Sequence, residues 1–186
     1  YVRTGLYPAV LPTGLGGEAA GTVIAIGDAV NTVAVGDRVT YASAAPGSYA
    51  THRILPASRL LTLPGDIPCD VAAAITLKGL TATFLAEDCA RMTKGQTALV
   101  HAAAGGVGAL LVSWLEDMGV TVIAHSGSPE KAVRALSAGA AHSLIGDFDT
   151  LAARVRDLTT GKGVDAVFDG VGAASWSASL AALRPR

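Results

Sequence analysis

The chain has 186 residues, of which 51% are hydrophobic and 16% charged, so it can fill a packed core and lacks the composition of a disordered segment. The formal net charge is −1 and no dense Lys/Arg run occurs, which argues against nucleic acid or an anionic membrane surface as the main partner. No apolar stretch is expected to reach membrane-spanning length, because Gly, Pro or a charged residue interrupts each one.

The opening Tyr1-Val2-Arg3-Thr4-Gly5 has no apolar core of the kind a signal peptide needs, although the first residue is not Met. Two cysteines, Cys69 and Cys89, are too few for a disulfide framework or a four-ligand zinc lobe. They read as buried or half-buried thiols on helices, and a reducing, cytoplasmic setting is the expectation.

Up to Pro68 the chain is rich in Gly and Pro and its apolar runs are short. Val23–Ile26, Arg38–Tyr41, Tyr49–Ile54 and Leu60–Leu61 read as strands between turns such as Gly27-Asp28 and Pro46-Gly47. This predicts a small, irregular β-rich domain over residues 1–68. From residue 69 onward the pattern alternates between helix and strand. Asp70 to Ala90 predicts two short helices broken near Gly79, and Thr97 to Ala102 a buried strand. Val107, Leu110, Leu111, Trp114, Leu115 and Met118 then form one apolar stripe at helical spacing, stopped by Gly119. Further strands are expected at Val120–Ala124, His142–Ile145 and Val164–Phe168. Helices are expected from Pro129 towards Gly139, from about Asp147 to Gly161, and over Ala173–Leu183. Alternation of this kind implies right-handed crossovers and a parallel sheet covered on both faces, an α/β fold.

The segment Ala103-Ala104-Gly105-Gly106-Val107-Gly108 lies between the first of these buried strands and the amphipathic helix. It is a variant of the glycine-rich dinucleotide fingerprint, with Ala103 where the first glycine usually sits. Gly105 and Gly106 let the backbone approach a pyrophosphate, and Gly108 lets the helix pack on the strand. The amides of the first helical turn then face the phosphates. An NAD site places Asp or Glu about twenty residues after the glycines, on the ribose 2′-hydroxyl. Here the corresponding stretch is His125-Ser126-Gly127-Ser128-Pro129-Glu130-Lys131, with Ser126 at the acidic position. A carboxylate there would repel a 2′-phosphate, whereas Ser126 and Lys131 would attract it, so NADPH is the expected cofactor. Glu130 is expected to point away along its helix.

These residues resemble a known family. Leu15-Gly16-Gly17-Glu18-Ala19-Ala20-Gly21 followed by Val35-Gly36-Asp37-Arg38-Val39 is similar to the GroES-like domain of medium-chain dehydrogenases/reductases. Lys78-Gly79-Leu80-Thr81-Ala82, His101–Gly108 and the opening Arg3–Pro8 resemble the quinone oxidoreductase (zeta-crystallin-like) branch. The resemblance implies part of a GroES-like domain over 1–68 and part of a Rossmann-type, doubly wound NADP-binding domain over 69–186. It implies cofactor contacts at Lys78, Gly105, Gly106, Val107, Gly108, Ser126 and Lys131, beside Ala103 at the turn. Tyr1 and Tyr7 match tyrosines that line the nicotinamide and substrate pocket.

Three departures matter. Zinc-dependent relatives carry His where Gly17 stands, and the connection from Tyr41 to Ser48 is too short for their cysteine-rich lobe. The four histidines, at 52, 101, 125 and 142, show no ligand spacing and read as surface or strand-end residues. An aromatic of the family, after the third strand, is replaced by Gly146. A full dinucleotide fold has strand order 3-2-1-4-5-6, and four strands are expected here, so the chain reads as lacking both ends of such a protein.

The resemblance implies NADPH-dependent, zinc-independent reduction of a quinone or α,β-unsaturated carbonyl compound by hydride transfer, in a protein expected to be a homodimer at full length. An alkenal or enoyl reductase, and a non-catalytic NADPH-binding structural protein, stay open as alternatives.

Overall fold

The computed structural model describes residues 2–42 and 45–185. Contacts divide the chain into two compact units, Tyr1–Leu77 and Lys78–Arg186. The boundary falls inside helix α1 (Cys69–Thr83).

In the first unit three strands form one antiparallel sheet in the order β1-β2-β3: β1 (Glu18–Thr22), β2 (Arg38–Ala42) and β3 (Leu61–Thr62). Strand β1 pairs along its whole length with β2, Ala20 opposite Thr40. The apolar run Val23–Ile26, expected as a strand, is not one. Its neighbour Glu-Ala-Ala-Gly-Thr takes the ladder instead, and Ile24 and Ile26 stand exposed. Backbone pairing with β2 outweighs the low strand propensity of those small residues. Tyr49–Ile54 likewise forms no strand, and Tyr49 and Ile54 are exposed. Arg38 on β2 donates to the carbonyls of Gly65 (2.9 Å) and Ile67. Thr40 meets Thr76 of α1 at 2.7 Å, so β2 is tied to the chain leading into α1 and to the helix itself.

Helix α1 runs unbroken through Gly79 and continues as a π-helix, Phe84–Cys89. A glycine inside a helix costs only about 1 kcal/mol relative to alanine, too little to end a helix whose neighbours are Ala, Leu and Thr. By length and composition the run Cys69–Cys89 would suffice to cross a membrane, contrary to the expectation that none would. The core helix of a soluble protein can meet the same test, and this one carries Asp70, Lys78, Glu87 and Asp88. Cys69 is half-buried, but Cys89 is exposed rather than buried.

The second unit holds β4 (Thr97–His101), β5 (Thr121–Ser126), β6 (His142–Ile145) and β7 (Ala166–Phe168), all parallel, in the order β6-β5-β4-β7. In chain order this is 3-2-1-4, the order expected of a dinucleotide fold around its first crossover reversal. Helices α2 (Gly106–Asp117), α3 (Pro129–Ser137), α4 (Leu151–Leu158) and α5 (Trp176–Ala182) follow the strands in turn. Alternate strand residues feed two cores. Val100 and Val122 pack with Leu111, Val112 and Leu115 of α2. Leu99 and Ile123 pack with Leu151 and Val155 of α4 and with Val164. Each such side chain contributes about 1.5–3 kcal/mol on burial. Together they fix the sheet's C-terminal edge, where the candidate site residues gather.

Candidate functional site

The turn from β4 into α2 is made by Ala102, which adopts φ +48°, while Ala103 behind it is fully buried. The amide of Gly105 donates to the Ala102 carbonyl at 2.8 Å, and Gly105 serves as N-cap of α2. Ala109 is the first amide to bond back, to the Gly105 carbonyl at 2.9 Å. The amides of Gly106, Val107 and Gly108 therefore head the helix ahead of its first intrahelical bond, the arrangement that receives an anion. Gly105 and Gly106 are exposed; Val107 and Gly108 are half-buried.

The three glycines serve different ends. A Cβ on Gly108 would overlap the Ala102 carbonyl oxygen and lie 2.9 Å from Cα of Ala103, so this glycine is required by helix–strand packing. A Cβ on Gly105 would stand 3.0 Å from the Ala102 oxygen, tight but short of overlap. At Gly106 the obstacle is the Lys78 side chain, with Cδ 2.9 Å and Cε 3.0 Å away. Lys78 of α1 thus lies over the glycine turn rather than projecting into solvent.

A crevice of about 630 Å³ opens between the ends of β4 and β7. Its walls include His101, Gly105, Gly106, Gly108, Phe168, Asp169 and Trp176. This is the position at which sheets of this topology take ligands. At the end of β5, Ser126 is buried with its hydroxyl unpartnered. An orphaned hydroxyl in such a place costs free energy unless something meets it. Lys131 lies exposed in the first turn of α3, its amide held by the N-cap hydroxyl of Ser128 at 3.4 Å. Glu130 is turned to the same cap. A hydrogen bond from Ser128, then one from its own backbone, hold its carboxyl below the ordinary value. In the first unit Tyr7 is exposed, and Tyr1 lies outside the described residues.

Sequence reasoning missed a buried polar chain behind this edge. His101, the last residue of β4, stands in register with His125, the last but one of β5, and both are buried, not surface residues. Their Nδ1 atoms lie 3.2 Å apart. His125 Nε2 meets the Gly146 carbonyl at 3.1 Å, and His101 Nε2 meets Ser179 Oγ at 3.0 Å. Ser179 donates to Asp169 at 2.6 Å. Phe148 packs on both imidazoles, its ring centre 5.7 Å from that of His101 and 5.2 Å from that of His125. Burial lowers the pKa of His101, against the opposing pull of the Asp169 carboxylate. Asp169 is itself pushed up by burial. The hydroxyls of Ser179 and Ser175 and the amides of Gly172 and Val171 outweigh that and hold it far below the carboxylate range. The available signal was an Asp ending the fourth strand, before Gly170 and Gly172, with serines six and ten residues on.

Fold and site define a dinucleotide-type α/β unit in a chain that also carries a small antiparallel β unit. Residues 1–65 match the alcohol dehydrogenase GroES-like domain, and residues 106–186 match the zinc-binding dehydrogenase domain. The chain belongs to the medium-chain dehydrogenase/reductase family. It is 43% identical over its full length to a quinone oxidoreductase of Pseudomonas aeruginosa, of which it covers 58%. It superposes with TM-score 0.92 on a mycobacterial protein complexed with NADPH, at 46% identity, covering 100% of this chain and 58% of that one. Escherichia coli quinone oxidoreductase complexed with NADPH gives TM-score 0.92 at 40% identity, with 100% and 57% covered. The chain thus spans little more than half the length of these relatives. Among the described residues no group of three or more His, Cys, Asp or Glu is placed to hold a metal ion.

Proposed function

We propose that this protein binds NADPH at the C-terminal edge of β4, β5 and β7 and serves zinc-independent reduction of quinones or other α,β-unsaturated carbonyl compounds. The observation that carries the reading is the glycine turn at the head of α2, set beside the crevice at the β4–β7 reversal, with Ser126 rather than a carboxylate ending β5. The residues present fit the cofactor on three counts: an unpartnered buried hydroxyl at Ser126, a packed turn where Gly108 admits no Cβ, and three amides heading α2. The NADPH complexes of the mycobacterial and E. coli relatives support it further.

When bound, NADPH supplies a hydride; the chain supplies binding, orientation and electrostatics. In this reading the amides of Gly106, Val107 and Gly108 receive the pyrophosphate, and Lys78 lies across the same turn to neutralise it. Ser126 and Lys131 meet the 2′-phosphate, Lys131 as the charged partner. Tyr7, and Tyr1 by the family resemblance, line the substrate end. A phenol there would donate a hydrogen bond to the substrate oxygen as negative charge develops. Glu18, the residue after Gly17, accepts a hydrogen bond from the Leu77 amide at 2.8 Å, a use of its carboxylate that needs no metal. A soluble, cytoplasmic homodimer, with residues 1–68 and 69–186 as its two domains, completes the proposal.

The test is turnover against a panel of quinones and enones with NADPH and with NADH, together with elemental analysis. The reading expects NADPH-preferring turnover that survives a chelator. Stoichiometric zinc with activity lost on chelation would overturn the metal-free part. NADPH binding with no turnover across the panel would point to a structural protein.

A further inference from the structure

The buried imidazole chain contains more contacts than its neutral groups have hydrogens. Four contacts run in series, from the Gly146 carbonyl to His125, to His101, to Ser179 and to Asp169. Each needs one hydrogen. The Gly146 oxygen and the ionised Asp169 bring none, two neutral imidazoles bring one each, and Ser179 brings one. Three hydrogens therefore serve four contacts.

Distance decides which contact goes without. The 2.6 Å bond from Ser179 to the Asp169 carboxylate is the shortest and is charge-assisted, so Ser179 keeps its hydrogen there. Ser179 can then only accept from His101, which fixes the hydrogen of His101 on Nε2 and leaves its Nδ1 bare. His125 must donate from Nδ1 to that atom, and its own Nε2 is left facing the Gly146 oxygen lone pair against lone pair. One added proton on the imidazole pair completes all four contacts, and its charge is balanced by Asp169 along the chain.

We propose that this chain is a single-proton switch that ties the turn after β6, at Gly146, to the turn after β7, at Asp169–Gly172, and so positions the rim of the crevice. Phe148 covers both rings, and the surroundings allow little besides this one proton. Asp169 is the carboxylate in contact with the chain. From α4, Arg154 donates to the Ile145 carbonyl at 2.6 Å beside Gly146 and opposes a second positive charge. Helix α5 contributes only the hydroxyls of Ser175 and Ser179, and Asp147 and Asp149 of the β6–α4 turn are exposed. Burial lowers the pKa of His101, the imidazole linked to Asp169 through Ser179. His101, His125 and Ser179 are then positioning residues for the crevice wall.

The experiment is imidazole nitrogen NMR of the protein between pH 8 and pH 5, with the Gly146 carbonyl carbon followed in the same samples. One proton shared by both imidazoles is expected, with the Gly146 carbonyl moving at the same midpoint. The variant His125→Gln, which keeps donor and acceptor without titrating, should abolish both changes. Two imidazoles each taking up its own proton, or a Gly146 signal that ignores the titration, would overturn the switch. If binding at this edge is as proposed above, calorimetry should show NADPH affinity rising about threefold more from pH 7.5 to 6 in the native protein than in His125→Gln. Equal rises would overturn the effect on the rim. Failure to bind NADPH at any pH would sink the cofactor reading while the NMR still decides the switch.

Discussion

Gly108 lies against Ala102 so closely that no Cβ fits between the first turn of α2 and the carbonyl that ends the β4 turn. The contact is backbone on backbone, so neither side can yield without moving the helix. Gly108→Ala is expected to destabilise the protein by about 1–3 kcal/mol through overpacking. Gly106→Ala meets only the flexible end of Lys78 and should cost well under that. Urea unfolding of both variants checks the ranking; equal losses would mean the turn is looser than its geometry indicates.

Asp169 gathers the hydroxyls of Ser175 and Ser179 and the amides of Val171 and Gly172 on one carboxylate. Asp169→Asn removes the charge and turns an amide towards one hydroxyl. A hydrogen bond to a charged group is worth about 1.5–3 kcal/mol, and a loss of at least that size is expected at pH 7. The folded carboxyl sits below its unfolded value, so its contribution is present above about pH 4 and fades as pH falls towards the folded value. The carboxylate's own share of the gap between native and variant stability should therefore narrow only in stronger acid, while loss of the charge that favours the imidazole proton widens the gap as pH falls from 8 to 5.

His101 gives the opposite kind of group the same sign. Its pKa is lowered on folding, so its share of stability is fully present above the unfolded value of about 6.5. That share is lost as pH falls through the folded value. Chemical denaturation from pH 7.5 to pH 5 should show this acid-side slope, and His101→Gln should flatten it while lowering stability at pH 7.5. A variant that keeps the native slope would assign it to another group.

Ser126 separates stability from binding. Its hydroxyl is buried without a partner, and replacing it by a methyl group removes an unsatisfied polar atom. Ser126→Ala should leave the protein as stable or slightly more so, yet weaken NADPH binding severalfold and NADH binding hardly at all. Loss of stability with unchanged NADPH affinity would show that the hydroxyl serves the fold.

The parallel half of the fold was legible because its signals are local. Apolar runs ending in turns, the helical stripe from Val107 to Met118 and the glycine turn each sit within a few residues. The antiparallel half was less so: β1 is built from Glu18, Ala19, Ala20, Gly21 and Thr22, whose side chains give no strand signal, and only pairing with β2 makes it one. The glycine turn, Ser126 and Lys131 could be singled out from spacing, and Lys78 from family likeness alone. His101 and His125 could not be joined to Asp169 and Ser179, for which the only signal was an Asp after a strand with serines six and ten residues on. They lie on three strand ends and a helix, far apart in sequence, and only the register of β4 with β5 and the placement of α5 bring them together.

The central claim, a 2′-phosphate-selective site at the end of β5, is tested most directly by calorimetry of NADPH and NADH with the native protein and with Lys131→Ala, at low and high salt. A charge-assisted contact worth about 1.5–3 kcal/mol predicts at least a tenfold loss of NADPH affinity in the variant, with NADH affinity unchanged. Salt should weaken NADPH binding more in the native protein than in the variant, because screening acts on that charge pair. An NADPH to NADH affinity ratio that is the same in both proteins at both salt concentrations would contradict the account.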